Sequence, residues 1–226
     1  VQVKQFMDYG SVLGDSFGYA KDSVIGKWMQ WVLLIIATIL LTIPLLGYTL
    51  KVFRGEKPAP EVTGWGTLII DGIKYAIVSL IWAIPCIIIF FLFLGTLIGA
   101  ILTMDTAAMI AFASGALVSF IVFVIVAIIT GLLATIGIIR FARTGSMGEA
   151  FNFGAIIETI GKIGWGTYII AVIVLMIVQL IFVAVISGLN MIIPMLGLVV
   201  EFIILGPYTI FVARYLCQVY DAAGTA

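Results

Sequence analysis

The chain has 226 residues, of which 64% are hydrophobic and only 10% are charged, with 11 basic and 11 acidic side chains. Because there is no histidine and there are only two cysteines, a Ser-His-Asp triad, a histidine-ligated haem or zinc and an iron–sulfur cluster are excluded. This much apolar surface exceeds what one soluble core of this size buries, so the sequence predicts an all-α, polytopic membrane protein with one transmembrane domain, residues 1–226, and no nucleic-acid partner.

The first apolar segment, residues 28–50, has two interpretations. It is long enough for one membrane span, but Pro44 lies in its second half. Two short half-helices that meet near this proline would instead form a re-entrant hairpin. A single span places the N-terminus outside, whereas the hairpin leaves every basic residue on one side. We favour the hairpin, because the repeat described below supports it.

Four longer apolar stretches follow, and each can cross about 30 Å of hydrocarbon at about 1.5 Å per residue. They cover residues 75–103, 107–139, 168–186 and 191–212. We expect Pro85 to break the first of them and Gly206-Pro207 to break the fourth. The second is longer than needed, so it should tilt, protrude or break near Gly115 or Gly131.

Basic residues predict the orientation of the chain. The tips at Asp105 and Asn190 carry no lysine or arginine, so they are expected outside. The basic loops and the C-terminus are then cytoplasmic, in the cell membrane. Four arginines near helix ends would form a cytoplasmic ring that contacts lipid phosphates or another anion. These four are Arg54, Arg140, Arg143 and Arg214.

Three stretches of the chain share one plan, which predicts internal repeats of a helical hairpin. They cover approximately residues 16–54, 65–143 and 150–216. The first and third contain Tyr-Thr with an arginine six residues after the tyrosine, and the second keeps an arginine at the corresponding place. An arginine at a cytoplasmic helix end is also favoured by the helix dipole and by snorkelling, so the same motif has a purely structural interpretation.

Amphipathic stretches at the start of the units are expected to lie in the headgroup plane as interfacial helices. Residues 65–75 form one of them. In another, Glu158 and Lys162 have the spacing of an i,i+4 ion pair. Within the first long span, residues 95–99 read GTLIG, which fits a helix-packing face of small residues.

Glu201 is the sharpest candidate for a functional side chain. It lies about ten residues into the last predicted span, near the bilayer midplane by helical rise. A carboxylate at that depth is costly unless it is protonated, paired or hydrated. It is interpreted either as a proton or cation site or as a neutral acid bonded to a neighbouring helix through Gln179, Ser79 or Thr130. A shorter effective span would instead move it to the outer interface.

No catalytic or metal-binding constellation is recognisable, so a non-enzymatic protein without a cofactor is expected. The first hypothesis is a lipid-organising protein, or an accessory or assembly subunit of a membrane complex. Its partners would be membrane lipids and other membrane subunits or a second copy of the chain. The alternative is a small transporter or channel that uses the carboxylate of Glu201, which the repeats and the expected helix breaks favour.

Several loop motifs carry a resemblance to a known family. They are residues 16–20 (SFGYA), 46–56 (LGYTLKVFRGE), Trp65-Gly66 with residues 71–74 (DGIK), and Phe141-Ala142-Arg143 leading to Ala150-Phe151. The pattern resembles uncharacterised polytopic membrane proteins of archaea, especially methanogens, that are known only as a domain of unknown function. Bacterial membrane domains, including those fused to glycerophosphodiester phosphodiesterases, are more distantly similar. The resemblance covers nearly the whole chain and implies an archaeal cell membrane and an all-helical fold. It implies no activity and no site residues.

Overall fold

The computed structural model describes residues 7–40, 42–103, 105–193 and 195–224. Over these ranges the chain forms eight α-helices, one short 3-10 helix at Met147–Phe151 and no strand. The helices are α1 (Tyr9–Val24), α2 (Trp28–Ile39), α3 (Ile43–Phe53), α4 (Trp65–Thr103), α5 (Thr106–Thr144), α6 (Phe153–Ile163), α7 (Trp165–Ile192) and α8 (Leu196–Asp221). The predicted all-α class is confirmed.

Four of these helices, α4, α5, α7 and α8, are long and apolar enough to cross a membrane. This supports a multi-pass membrane protein. The helices α4 and α5 have 39 residues each. At about 1.5 Å per residue they are almost twice as long as the hydrocarbon core is thick. The helices α1 and α2 are together sufficient for a fifth span, but they are bent by 100° at the break between them.

The long helices are continuous. α4 runs through Pro85, α5 runs through Gly115 and Gly131, and α8 runs through Gly206-Pro207. The predicted breaks at the two prolines are therefore wrong. Membrane helices tolerate proline, because neighbouring groups and small local adjustments satisfy the freed backbone carbonyl.

The segment 28–50 is not one continuous helix. Its helix α2 ends at Ile39, and α3 begins at Ile43 after Thr42, which has a left-handed backbone with φ of 62°. Gln30 Nε2 and Tyr48 Oη both donate to the carbonyl of Pro60, at 3.1 and 2.6 Å. The start of α2 and the middle of α3 therefore meet at one backbone carbonyl. The two short helices of the favoured interpretation are present, and their re-entry into a membrane stays a prediction.

Most buried side chains lie at one end of the molecule, which we call the base. It consists of α1, α2, α3 and α6, the connecting residues 54–64 and 145–152, and the adjoining ends of the long helices, residues 65–82, 132–144, 165–175 and 205–221. Three fully buried tyrosines hold these elements together, because each hydroxyl donates to a backbone carbonyl of another segment. Tyr48 donates to Pro60, Tyr168 to Leu132 and Tyr215 to Ala171.

The helices α3 and α4 cross so closely in the base that glycine is needed on both. A Cβ atom on Gly47 would lie 1.9 Å from the carbonyl oxygen of Leu68, and one on Gly72 would lie 1.9 Å from that of Ile43. Similarly, a Cβ atom on Gly206 of α8 would lie 2.9 Å from Cβ of Leu34. These contacts bring α3 against α4, and α2 against α8, at backbone distance.

Two helical hairpins extend from the base, and we call them arms. The first arm consists of residues 83–103 of α4 and 106–131 of α5. The second arm consists of residues 176–192 of α7 and 196–204 of α8. Ala100 is the one buried residue among those described in the first arm, and Ile186 and Gly197 are buried in the second. The arms therefore expose nearly all of their apolar side chains.

The amphipathic stretches are only partly separate helices. α1 and α6 are separate helices along the chain, and Glu158 and Lys162 of α6 form the predicted ion pair at 2.8 Å. Residues 65–75 are instead the first turns of α4, so the separate interfacial helix predicted there is wrong. The helix pairs α2–α3, α4–α5 and α7–α8 correspond in order to the three predicted units, although α8 continues to Asp221, beyond the predicted end at residue 216. The repetition of the units stays a prediction.

Candidate functional site

The four arginines of the predicted ring all lie in the base, and each contacts a carboxylate of this chain. Arg54 contacts Asp71 at 2.6 Å, Arg143 contacts Asp221 at 2.7 Å, Arg214 contacts Asp15 at 2.8 Å, and Arg140 contacts Glu149. These are charge-assisted hydrogen bonds, which are shorter and stronger than neutral ones. The positive charge of the four arginines is thus balanced by carboxylates within the base. Their predicted binding of lipid phosphate stays a prediction.

Arg214 is the most deeply placed of the four. Its side chain is only 4% exposed. Its Nε and Nη2 both donate to Oδ2 of Asp15, at 3.0 and 2.8 Å. The guanidinium also lies over the ring of Tyr19, 5.1 Å from its centroid. An arginine enclosed in this way ties α8 to α1.

Arg143 joins three helix ends. Its Nε donates to the carbonyl of Phe53 at 2.6 Å, and its Nη2 donates to Asp221. The guanidinium packs over Gly55, where a Cβ atom would lie 2.9 Å from its central carbon. Gly55 has φ of 86°, a left-handed backbone that glycine adopts at little cost. The ends of α3, α5 and α8 are therefore fixed by one side chain.

Arg140 and Glu149 form the fourth ion pair. Arg140 also donates to Oγ1 of Thr159 at 3.4 Å, and Asn152 donates to Glu149 at 3.2 Å. The hydrogen bond from Arg140, followed by that from Asn152, holds the pKa of Glu149 below its usual range. The carboxylate therefore keeps its charge to a lower pH than an unpaired glutamate does.

The carboxylates that contact the four arginines were not predicted from the sequence. Asp71 contacts both Arg54 and Lys74, the latter at 4.0 Å. Asp15 and Arg214 are 199 residues apart, so no spacing rule connects them. The one available signal was that acidic and basic residues are equal in number.

Glu201 lies in the second arm. It is the sixth residue of α8, about 7.5 Å by helical rise from the start of that helix and toward the tip of the arm. It lines a groove of 510 Å³ between α7 and α8. The other polar residues of the groove are Gln179, Ser187, Asn190, Tyr208 and Thr209. The groove is therefore a polar strip on an otherwise apolar arm.

The predicted partners of Glu201 are distributed over both arms and the base. Gln179 lines the same groove, where its Oε1 accepts a hydrogen bond from Tyr208. Thr130 lies in the first arm and contacts Sγ of Cys86 at 3.7 Å, and Ser79 lies on α4. None of the hydrogen bonds between described residues involves Glu201. The structure thus brings Glu201 together with Gln179 but not with the other two.

The groove has two chemical properties. Its one carboxylate, two amides and hydroxyls offer oxygen acceptors, and Phe182 stacks on Tyr208 with ring centroids 4.2 Å apart. No group of three or more cysteine, aspartate or glutamate side chains that could hold a metal ion occurs in the described ranges. Tyr208 and Ser187 were not predicted as site residues, although Tyr208 belongs to the repeated Tyr-Thr motif.

The comparisons with known proteins give one match. The family described as "Protein of unknown function (DUF4013)" matches residues 31–192, from the first turn of α2 to the end of α7. Three of the four arginines lie inside the matched region, whereas Glu201 and Arg214 follow it. Neither the curated proteins nor the solved structures contain a match.

Proposed function

We propose that this chain, which belongs to the DUF4013 family of proteins of unknown function, serves as an accessory or assembly subunit of a larger membrane complex. The observation that carries the proposal is the exposure of the first arm. None of the residues in the most apolar 18-residue window of α5 is buried. A helix that is apolar all round and unburied needs cover from lipid or from another membrane protein.

Small residues on the first arm favour another membrane protein, in addition to lipid, as the partner that covers its exposed surface. A Cβ atom on Gly95 or on Gly99 would meet nothing within 4 Å, so the predicted packing face is unused within the described chain. Phe91, one turn before Gly95, is 63% exposed. Small residues let two membrane helices approach closely. The stripe 91–99 therefore fits a helix of another subunit.

The base supports the same proposal. Its arginines contact carboxylates of this chain, so it needs no lipid phosphate to balance their charge. Organisation of lipid is for this reason the weaker form of the hypothesis. The proposed location is the cell membrane of an archaeon, with the base on the cytoplasmic side. The proposed role is non-enzymatic.

Site-specific photo-crosslinking in native membranes tests the proposal. A photoreactive phenylalanine analogue replaces Phe91 in the first arm and, as the matched control, Phe17 of α1, which is 67% exposed. The expected result is one discrete protein adduct from position 91. That adduct should be lost in the Gly95→Leu variant but retained in Gly161→Leu, since Gly161 also has open space around it.

Two results would count against the subunit proposal. An adduct of twice the chain mass would show self-association instead of a different subunit. Reaction with lipid alone at both positions would favour the lipid-organising role.

A small transporter or channel is the second candidate, and the polar groove around Glu201 favours it. A carboxylate beside two amides on a membrane arm is the type of site that binds a proton or a cation. Proton flux into proteoliposomes should then be abolished in Glu201→Gln, with helicity and elution profile preserved. Equal flux in the variant and the wild type would remove Glu201 from any transport mechanism.

A further inference from the structure

The groove of the second arm is built for a positively charged ligand. Glu201 is the one charged side chain among its lining residues, and none of the hydrogen bonds between described residues reaches its carboxylate. Glu201 is exposed near the tip of this apolar arm, where a counter-charge or water stabilises its carboxylate. The complementary ligand is therefore a cation.

The size of the groove selects the kind of cation. Its volume of 510 Å³ is typical of a site for a small organic molecule and is far larger than a dehydrated metal ion needs. Val183, Ile186 and Leu205 line it beside the polar groups. The lining thus combines one negative charge with an apolar wall, which suits a cationic head attached to an apolar body.

The acceptors in the groove select the head group. The carboxylate of Glu201 and the amide oxygen of Asn190 can accept hydrogen bonds, and an ammonium group has three N–H donors and no acceptor. The stacked rings of Phe182 and Tyr208 line the same groove and add an aromatic surface to it. A quaternary ammonium group has no N–H donor and would leave the acceptors unused.

We propose that this groove binds the primary ammonium group of an amphiphilic amine, with Glu201 as its counter-ion. The site is separate from the open stripe of the first arm and goes beyond the subunit role, which does not depend on it. Its ligand is either a free alkylamine or the head group of an aminolipid. The chemistry is the same in both cases, and the experiment distinguishes the two sources.

Native mass spectrometry of the full chain in neutral detergent micelles tests the site, with octylamine as the probe and octanol as its uncharged control. The wild type should take up one octylamine in a saturable manner and no octanol. Glu201→Gln should weaken octylamine binding at least tenfold. The matched control Glu158→Gln, which removes a carboxylate of α6 outside the groove, should bind as the wild type does.

A second variant tests the groove without a change of charge. Val183 is 48% exposed, so Val183→Trp is accommodated by the fold and fills the groove. It should also abolish octylamine binding. Equal binding by the wild type, Glu201→Gln and Val183→Trp would overturn the proposal.

Competition then identifies the source of the ammonium group. Displacement of octylamine by phosphatidylethanolamine, but not by phosphatidylcholine, would assign the site to an aminolipid head group. Octylamine binding that depends on Glu201 and resists both lipids would assign it to a free amine. Binding of octanol as tight as that of octylamine would show an apolar site only and would refute the role of the carboxylate.

Discussion

The four long helices run through both the base and the arms, but the surroundings of their side chains differ between the two regions. In the base, buried tyrosines and four ion pairs satisfy the buried polar side-chain atoms of the described residues except Nε of Arg140, and close glycine crossings bring the helices together. In the arms, apolar side chains and open glycines face outward. A single helix such as α4 thus has one part that packs against the rest of the chain. Its other part exposes apolar side chains that lipid or another protein must cover.

The largest expected effect in this comparison is on the crossing of α3 and α4. Gly47→Ala should lower the free energy of unfolding by about 3 kcal/mol or more, because its Cβ atom would overlap the backbone of Leu68. Equilibrium unfolding in detergent measures this change. The control is Gly66→Ala, at a position with open space, which should change stability by less than about 0.5 kcal/mol. Equal changes of stability in the two variants would show that α3 and α4 are farther apart at Gly47 than in the structure.

The next effect concerns the buried ion pair of the base. Asp15→Asn leaves the guanidinium of Arg214 enclosed without its counter-charge and should cost about 2 kcal/mol, less than for a fully buried pair because Asp15 is half exposed. Asp71→Asn should cost less than about 1 kcal/mol, since its partner Arg54 is 39% exposed. Thermal unfolding of both variants measures the difference. A larger loss in Asp71→Asn would contradict this ranking of the two pairs.

A smaller effect follows from the lowered pKa of Glu149. A carboxylate with a lowered pKa in the folded state contributes stability that is complete above its unfolded pKa of about 4.3 and is lost as the pH falls through the folded pKa. The unfolding temperature should therefore fall less steeply between about pH 5 and pH 3 in Glu149→Gln than in the wild type. Parallel curves would mean that the contact with Arg140 adds no stability.

The smallest effect is expected in the arms. Leu102 is 77% exposed at the end of the first arm. Leu102→Ala should change the stability of the isolated protein in detergent by less than about 0.5 kcal/mol. In contrast, Leu68→Ala in the base should cost about 2–5 kcal/mol, because Leu68 is fully buried. Similar losses at the two positions, measured by the same unfolding titration, would remove the distinction between arms and base.

The sequence predicted the class of the fold, because composition alone requires apolar helices that face a membrane. It did not predict that the long helices are continuous. Pro85 and Pro207 suggested breaks from their local backbone preferences, but both lie inside continuous helices. For residues 28–50, Pro44 correctly indicated two short helices, since α2 ends at Ile39 and α3 begins at Ile43, just before this proline.

The candidate sites were predicted in part. The four arginines were recognised as a group at one end of the molecule, but their carboxylate partners were not, because contacts such as Arg214 to Asp15 join opposite ends of the chain. Glu201 was recognised from its charge in an apolar run. Its groove was not, because the position of Tyr208 opposite Gln179 depends on how α7 packs against α8.

Native mass spectrometry of the protein, extracted gently from its own membranes, tests most directly whether the arms need a cover that the chain does not provide. The account predicts a stoichiometric complex with a different membrane protein. This complex should be lost in the double variant Gly95→Leu, Gly99→Leu and retained in Gly161→Leu. A lone monomer or a homo-oligomer from wild-type membranes would contradict the account.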